Sequence, residues 1–198
     1  MPRAGLSPTS VVDAAAELAD EVGADQLTLA LLAQRLGVRL PSLYKHIDGI
    51  DALRRHLAVR ALDELTTRVT GAAVGRSGAD ALIAVATAYR DFARSRPGLY
   101  PGVLRAPDPV DEAHVAAAAR LLQVVLALLA GFGLAGDDAV DAARTVRATL
   151  HGFVALEAAG GFGMTQDVDR SFDRAVTGLG RALTAWPVTP VAGGLPTP

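Results

Sequence analysis

The segment Thr28–Ile47, TLALLAQRLGVRLPSLYKHI, carries two short apolar patterns on either side of a glycine. Leu29, Leu32, Ala33 and Leu36 recur at helical spacing, and Leu40, Leu43 and Ile47 do so again. At Gly37-Val38 a helix can end in the left-handed region and the chain can reverse. Thr28 is placed to cap the first helix. Pro41 falls in the first turn of the second, where a missing N–H costs little. Two helices joined by a glycine turn make a helix-turn-helix, whose second helix can enter the major groove of DNA. Burying Leu43 and Ile47 leaves Arg39, Ser42, Lys45 and His46 facing outward, with Tyr44 at the edge. These side chains can reach phosphates and base edges. The segment reads as a DNA-binding head.

Around it lie 198 residues, enough for one large or two small domains with a substantial core. The apolar residues are mostly Ala, Leu and Val, and no stretch alternates apolar and polar residues with β-branched character. An all-α protein is expected. With no cysteine, disulfides and thiolate-ligated metals are excluded. The start MPRAGLSPTS has no apolar core of a signal peptide, so a cytoplasmic protein is expected. The run 115–134 is apolar enough to suggest a membrane span. It contains Arg120 and Gln123, however, and a central Arg costs roughly 2.5–3.5 kcal/mol on insertion. A buried helix of a soluble protein, with no membrane partner, is the expectation.

Net charge is −2, which gives DNA binding no general support. Within residues 1–60, seven cations (Arg3, Arg35, Arg39, Lys45, Arg54, Arg55, Arg60) are matched by seven acids (Asp13, Glu17, Asp20, Glu21, Asp25, Asp48, Asp51). A positive field must therefore be local, set by Arg39, by Lys45 (the sole lysine) and by the amino-terminal arm with Arg3.

Ser7 and Pro8 mark the start of a first helix with Val11, Ala15, Leu18, Ala19 and Val22 on one face, closed by Gly23. After the helix-turn-helix, Asp48 or Asp51 starts a long helix carrying Leu53, Leu57, Ala61, Leu65 and Val69. The stretch 71–78 is the clearest internal link. A helix over 80–96 is expected to bury Leu82, Ile83, Ala86, Tyr89, Phe92 and Ala93. A Pro/Gly-rich connector over 99–109 has room for one helical turn. Further helices follow over about 110–129, over 137–159 with Val140, Val146, Leu150, Phe153, Val154 and Leu156, and from about 167 to Trp186. The expected division is a head at 1–54, an all-helical ligand-binding and dimerisation domain at 55–186, and a disordered tail at 187–198.

The segment LTLALLAQRLGVRLPSLYKHIDGIDAL, Leu27 to Leu53, resembles the TetR family of bacterial repressors. Val38, Ser42-Leu43-Tyr44-Lys45-His46 and Ile47 stand where that family has an aliphatic residue, then Ser/Thr-Leu-Tyr-x-His-Phe. The resemblance covers residues 8–60, and the rest matches in helix layout. It implies a recognition helix at 39–46, with Tyr44 and His46 on the DNA backbone and Arg39, Leu40 and Ser42 where sequence is read. Thr28, Pro41 and Lys45 complete the DNA-binding set. Arginine suits base reading because it can pair bidentately with guanine. The family's common lysine at the start of the fourth helix is here Ile50, so the helix terminus or Arg54 and Arg55 would take over its phosphate. Leu150-His151-Gly152-Phe153 resembles a subgroup with a Trp-His-Gly signature, without the tryptophan.

The resemblance further implies a homodimer through the last two helices, with Val146, Phe172, Val176, Leu179 and Leu183 at the interface. Palindromic double-stranded operator DNA would be bound with recognition helices about 34–36 Å apart. A small hydrophobic or amphipathic effector, held among Tyr89, Phe92, Tyr100, Leu121, Val125, His151 and Phe153, would shift the long fourth helix and release the DNA. No cofactor or metal is expected: His114 and His151 lack a neighbouring His/carboxylate cluster. Glu157 could pair with Arg144 or Arg147. Neither a nucleophile elbow, a P-loop nor a zinc-hydrolase motif occurs, so no catalytic residue is assigned. The alternatives are an all-helical small-molecule binder with no DNA function and a small helical enzyme.

Overall fold

The computed structural model describes residues 6–187; Arg3 and the tail from residue 188 on lie outside them. The described residues form helices and two short 3-10 turns, with no strand among them. The helices are α1 (Pro8–Val22), α2 (Leu29–Leu36), α3 (Leu40–Leu43), α4 (Gly49–Ala73), α5 (Gly78–Ser95), α6 (Glu112–Ala130), α7 (Gly136–Ala158) and α8 (Val168–Thr184). The 3-10 turns are Ala24–Gln26 and Tyr100–Val103. These residues group into two compact units, 6–69 with 88–122 and 70–87 with 123–187.

In the first unit, α1 begins as its sequence dictates. The Ser7 hydroxyl accepts from the Ser10 N–H at 3.1 Å, the Ser10 hydroxyl returns to the Ser7 backbone, and Pro8 occupies the first turn. Such a capping arrangement is worth about 0.5–2 kcal/mol. Val11, Ala15, Ala16, Leu18 and Ala19 are buried, together with Leu27, Leu32, Leu43, Ile47, Leu53, Leu57, Ala61, Leu65 and Val69 of the same unit. Val22, expected on the apolar face, is 37% exposed.

Asp20, at the end of α1, ties this unit together. Its carboxylate accepts from the Gly98 N–H at 2.9 Å and lies 3.1 Å from Arg96, which also approaches Glu64 at 3.6 Å. Residue 98 must be glycine for this contact, since a Cβ would overlap the backbone of Ala19 and Asp20. Arg68 pairs with Glu64 and lies over the Phe92 ring, 5.2 Å from its centre.

In the second unit, Ala139, Ala142, Val146, Leu150 and Val154 of α7 and Phe172, Val176, Leu179 and Leu183 of α8 are all buried. They share this core with Leu82, Val85, Leu128, Leu129 and Leu134. The residues expected at an interface, Val146, Phe172, Val176, Leu179 and Leu183, are each at most 7% exposed within one chain. A helix with a single apolar stripe gives it first to its own protomer.

Other expectations also change. The link expected over 71–78 begins only after Ala73, because α4 continues through Gly71. Ile83, expected to be buried, is exposed, and so are Val140 and Leu156 of α7. α8 ends at Thr184, before Trp186. α6 is long and apolar enough to cross a membrane, yet its most apolar window is only 22% buried. The expected buried helix thus buries only a stripe, with Ala117, Leu128 and Leu129 inside and Val115 and Leu122 outside. Arg120, near its middle, pairs with Asp63 at 2.6 Å.

Candidate nucleic-acid interface

The turn between α2 and α3 has the geometry its glycine requires. Gly37 has φ 66° in the left-handed region, and the Val38 N–H reaches back to the Ala33 carbonyl at 3.0 Å. This Schellman-type end satisfies carbonyls that α2 would otherwise leave unpaired. Thr28 caps the other end, its hydroxyl accepting from the Leu31 N–H at 3.2 Å. The hydroxyl proton remains to donate, and the residue is exposed.

α3 is a single turn of four residues, shorter than the expected 39–46. Helical hydrogen bonding still carries on past it, with the His46 and Ile47 N–H groups both donating to the Leu43 carbonyl. Leu43 and Ile47 are buried, which turns the remaining side chains out. Arg39, Leu40, Pro41, Tyr44 and Lys45 are exposed, while Ser42 and His46 are half-buried. Leu40 is 37% exposed, so it belongs with the outward set and not with the apolar face of Leu43 and Ile47. Tyr44, at 54%, is the more exposed of the two large apolar side chains here.

Charge pairing sharpens the local field. Arg35 is held bidentately by Glu21, with one N–O distance of 2.6 Å. The Arg35 hydrogen bond holds the Glu21 carboxyl below its ordinary range, and the same bond raises the Arg35 guanidinium. Arg60 is bound to Asp13, Arg54 lies 3.5 Å from Asp51, and Arg55 lies 3.9 Å from Asp111. Within 28–60, Arg39 and Lys45 are the cations that make no ion pair among the described residues. Arg39 is the N-cap of α3, and Lys45 lies in the turn that follows it. Ile50 is half-buried in the first turn of α4 and offers no cation there.

The expected effector residues divide between the two units, with Tyr89, Phe92, Tyr100 and Leu121 in the first and Val125, His151 and Phe153 in the second. Phe92 is fully buried. The Tyr89 and Tyr100 hydroxyls are 2.9 Å apart, with their rings edge-to-face at 5.8 Å. Phe153 packs on Phe162 and Phe172, with ring centres 4.8 and 5.1 Å away. Leu121, Val125 and His151 are half-buried on their helices. Instead, the second unit contains a cavity of about 430 Å3 framed by Ala73, Val74, Ala81, Val124, Ala127 and Leu128, and none of the seven lines it. Sequence reading missed it because facing alanines at helix ends look like ordinary helix formers. Arg144, offered as a partner for Glu157, pairs with Asp141 at 3.0 Å.

Residues 11–57 match the family model of bacterial regulatory proteins, tetR family, and residues 82–179 match that of the tetracyclin repressor-like C-terminal domain. The chain is 38% identical over 167 residues to the uncharacterized HTH-type transcriptional regulator Rv0681 of Mycobacterium tuberculosis, covering 84% of this chain and 75% of that one. The chain belongs to the TetR family.

A second relative, the uncharacterized HTH-type transcriptional regulator YobS of Bacillus subtilis, is 38% identical, with 84% and 87% of the two chains covered. Among solved structures, a TetR variant from Acinetobacter baumannii AYE in complex with minocycline superposes with a TM-score of 0.71 at 28% identity, over 93% of this chain and 100% of that one. This TetR-family protein is thus a DNA-binding transcription regulator and not an enzyme, with its helix-turn-helix at α2–α3.

Proposed function

We propose that the protein is a ligand-responsive repressor that binds palindromic operator DNA as a homodimer in the cytoplasm. The observation that carries this reading is the α3 face: Arg39 and Lys45 are exposed and unpaired beside Tyr44, over a buried Leu43 and Ile47. Lys45 and Arg39 supply counterion release at phosphates or a bidentate contact to guanine, and Thr28, Pro41, Ser42 and His46 border them. The head at 1–54 delivers this face, and the body at 55–186 pairs two heads.

For the dimer, the outward positions of the last two helices are the better candidates now that the apolar stripe is internal. Gly152 in α7 and Gly178 in α8 have open space where a Cβ would be. A glycine inside a helix costs roughly 0.8–1 kcal/mol against alanine, and neither has a packing reason within the protomer. Close approach of a second copy supplies one.

For the effector, the cavity of about 430 Å3 in the second unit is within the range of small-molecule pockets, and its frame is mainly apolar. Thr70 and Ala73 on its wall belong to the end of α4, whose earlier residues Leu53 and Leu57 are buried in the first unit. A hydrophobic ligand that favours one placement of α4 changes the separation of two paired heads, and so their fit to successive major grooves. Anisotropy titration of the protein with its own upstream DNA tests the reading. Preference for a palindromic fragment supports it, and equal affinity for unrelated DNA would overturn it.

A further inference from the structure

The first unit holds another hollow, of about 280 Å3, which the repressor reading does not use. It lies between the 3-10 turn Ala24–Gln26, α4 at residues 54–58 and the segment 98–105. Its floor is apolar, with Leu27, Leu57 and Leu99 all buried. Its charged lining consists of Arg54, Arg105 and Asp25. The side chains of Arg105 and Asp25 make no ion pair or hydrogen bond among the described residues. Arg54 has only the 3.5 Å contact with Asp51, which is itself exposed. Such an exposed pair holds a guanidinium weakly.

We propose that this cavity binds a small organic monocarboxylate. Two guanidiniums against one carboxylate leave the lining with a net charge of +1, the complement of a monoanion. The planar fork of arginine suits a carboxylate, and the leucine floor suits a short apolar body behind it. The volume, just below the usual range for ligand pockets, limits that body to one ring or a short chain. Glycines bring the outer wall in: Gly98 lies against the α1 backbone, and a Cβ on Gly102 would come within 3.0 Å of the Ala58 Cα. The site shares no lining residue with the larger cavity. It does not depend on the repressor reading.

Isothermal titration of the full chain with benzoate and with benzamide tests the site. Benzoate should bind once per chain, and benzamide, which has the same shape without the charge, at least about tenfold more weakly. Arg54→Gln and Arg105→Gln should each weaken benzoate by roughly tenfold or more. Ala58→Phe, which fills the hollow, should abolish binding, whereas Ala127→Phe in the larger cavity should leave it unchanged. If Ala58→Phe melts early, the two glutamine variants decide, because both arginines sit at exposed positions. No saturable heat at millimolar benzoate, equal binding of the two probes, or indifference to both glutamine changes would overturn the site.

Discussion

The outward residues of the α3 segment and the apolar stripe of α8 are both features that the sequence offered for contact with another macromolecule, and the first is exposed while the second is buried. In the segment 39–47, Leu43 and Ile47 are buried, Ser42 and His46 are half-buried, and Arg39, Leu40, Pro41, Tyr44 and Lys45 are exposed. On α8, the prominent residues Phe172, Val176, Leu179 and Leu183 are themselves the core. The lesson concerns what remains after burial. Polar and charged residues left over on a short helix report a working surface directly. Apolar residues on a long helix report only that something covers them, and the protomer's own helices are the first candidates. The partner surface proposed for α7 and α8 accordingly falls to small residues such as Gly152 and Gly178.

The largest effect that could break this contrast is Phe172→Asp. With the side chain 3% exposed, the change should cost at least the roughly 3–5 kcal/mol of a Phe→Ala truncation and leave the chain unfolded or molten by near-ultraviolet circular dichroism. A well-folded monomer would instead return Phe172 to an interface between copies. Next, Lys45→Ala and Arg39→Ala should each weaken operator binding by about 1–3 kcal/mol, read by anisotropy, and Lys45→Ala should also lower the salt slope by about one if it meets a phosphate. Unchanged affinity in both would remove α3 from the DNA. Gly178→Arg then probes the outer face of α8. Size exclusion should shift from dimer to monomer while the melting temperature of the protomer changes little, and a persisting dimer would move the interface elsewhere.

The smallest effect separates Arg35, on α2 near that face, from its unpaired neighbours. Because Arg35 lowers the Glu21 pKa, the pair's stabilisation is complete above the ordinary glutamate pKa and fades as pH falls through the lowered folded value. Urea unfolding from about pH 6 down to about pH 3 should show Glu21→Gln losing a small part of the wild-type acid dependence. Identical profiles would mean that the exposed pair contributes nothing in solution.

How much could be read in advance varied with the range of the interactions involved. The caps at Ser7 and Thr28, the turn at Gly37 and the burial of Leu43 and Ile47 follow from local propensity and helical period, and each appears where the sequence puts it. The TetR resemblance likewise rests on contiguous residues. By contrast, the apolar spacing sets Leu40 with Leu43 and Ile47 while the family resemblance sets it among the DNA-reading residues, and at 37% exposed it lies outside the core. Tyr89 and Tyr100 meet through their hydroxyls and Phe153 packs on Phe172, while the larger cavity is framed mainly by alanines and short aliphatic residues that carry no sequence signal.

By itself, then, the sequence determined an all-helical chain, its family, and a short basic face at residues 39–46, because these depend on neighbours within a few turns. Only the tertiary structure decided that α8 spends its apolar stripe inside the protomer, that Arg39 and Lys45 alone in the 28–60 stretch lack acidic partners among the described residues, and where the cavities open. Those outcomes turn on which residues meet across tens of positions, and neither periodicity nor composition encodes that pairing.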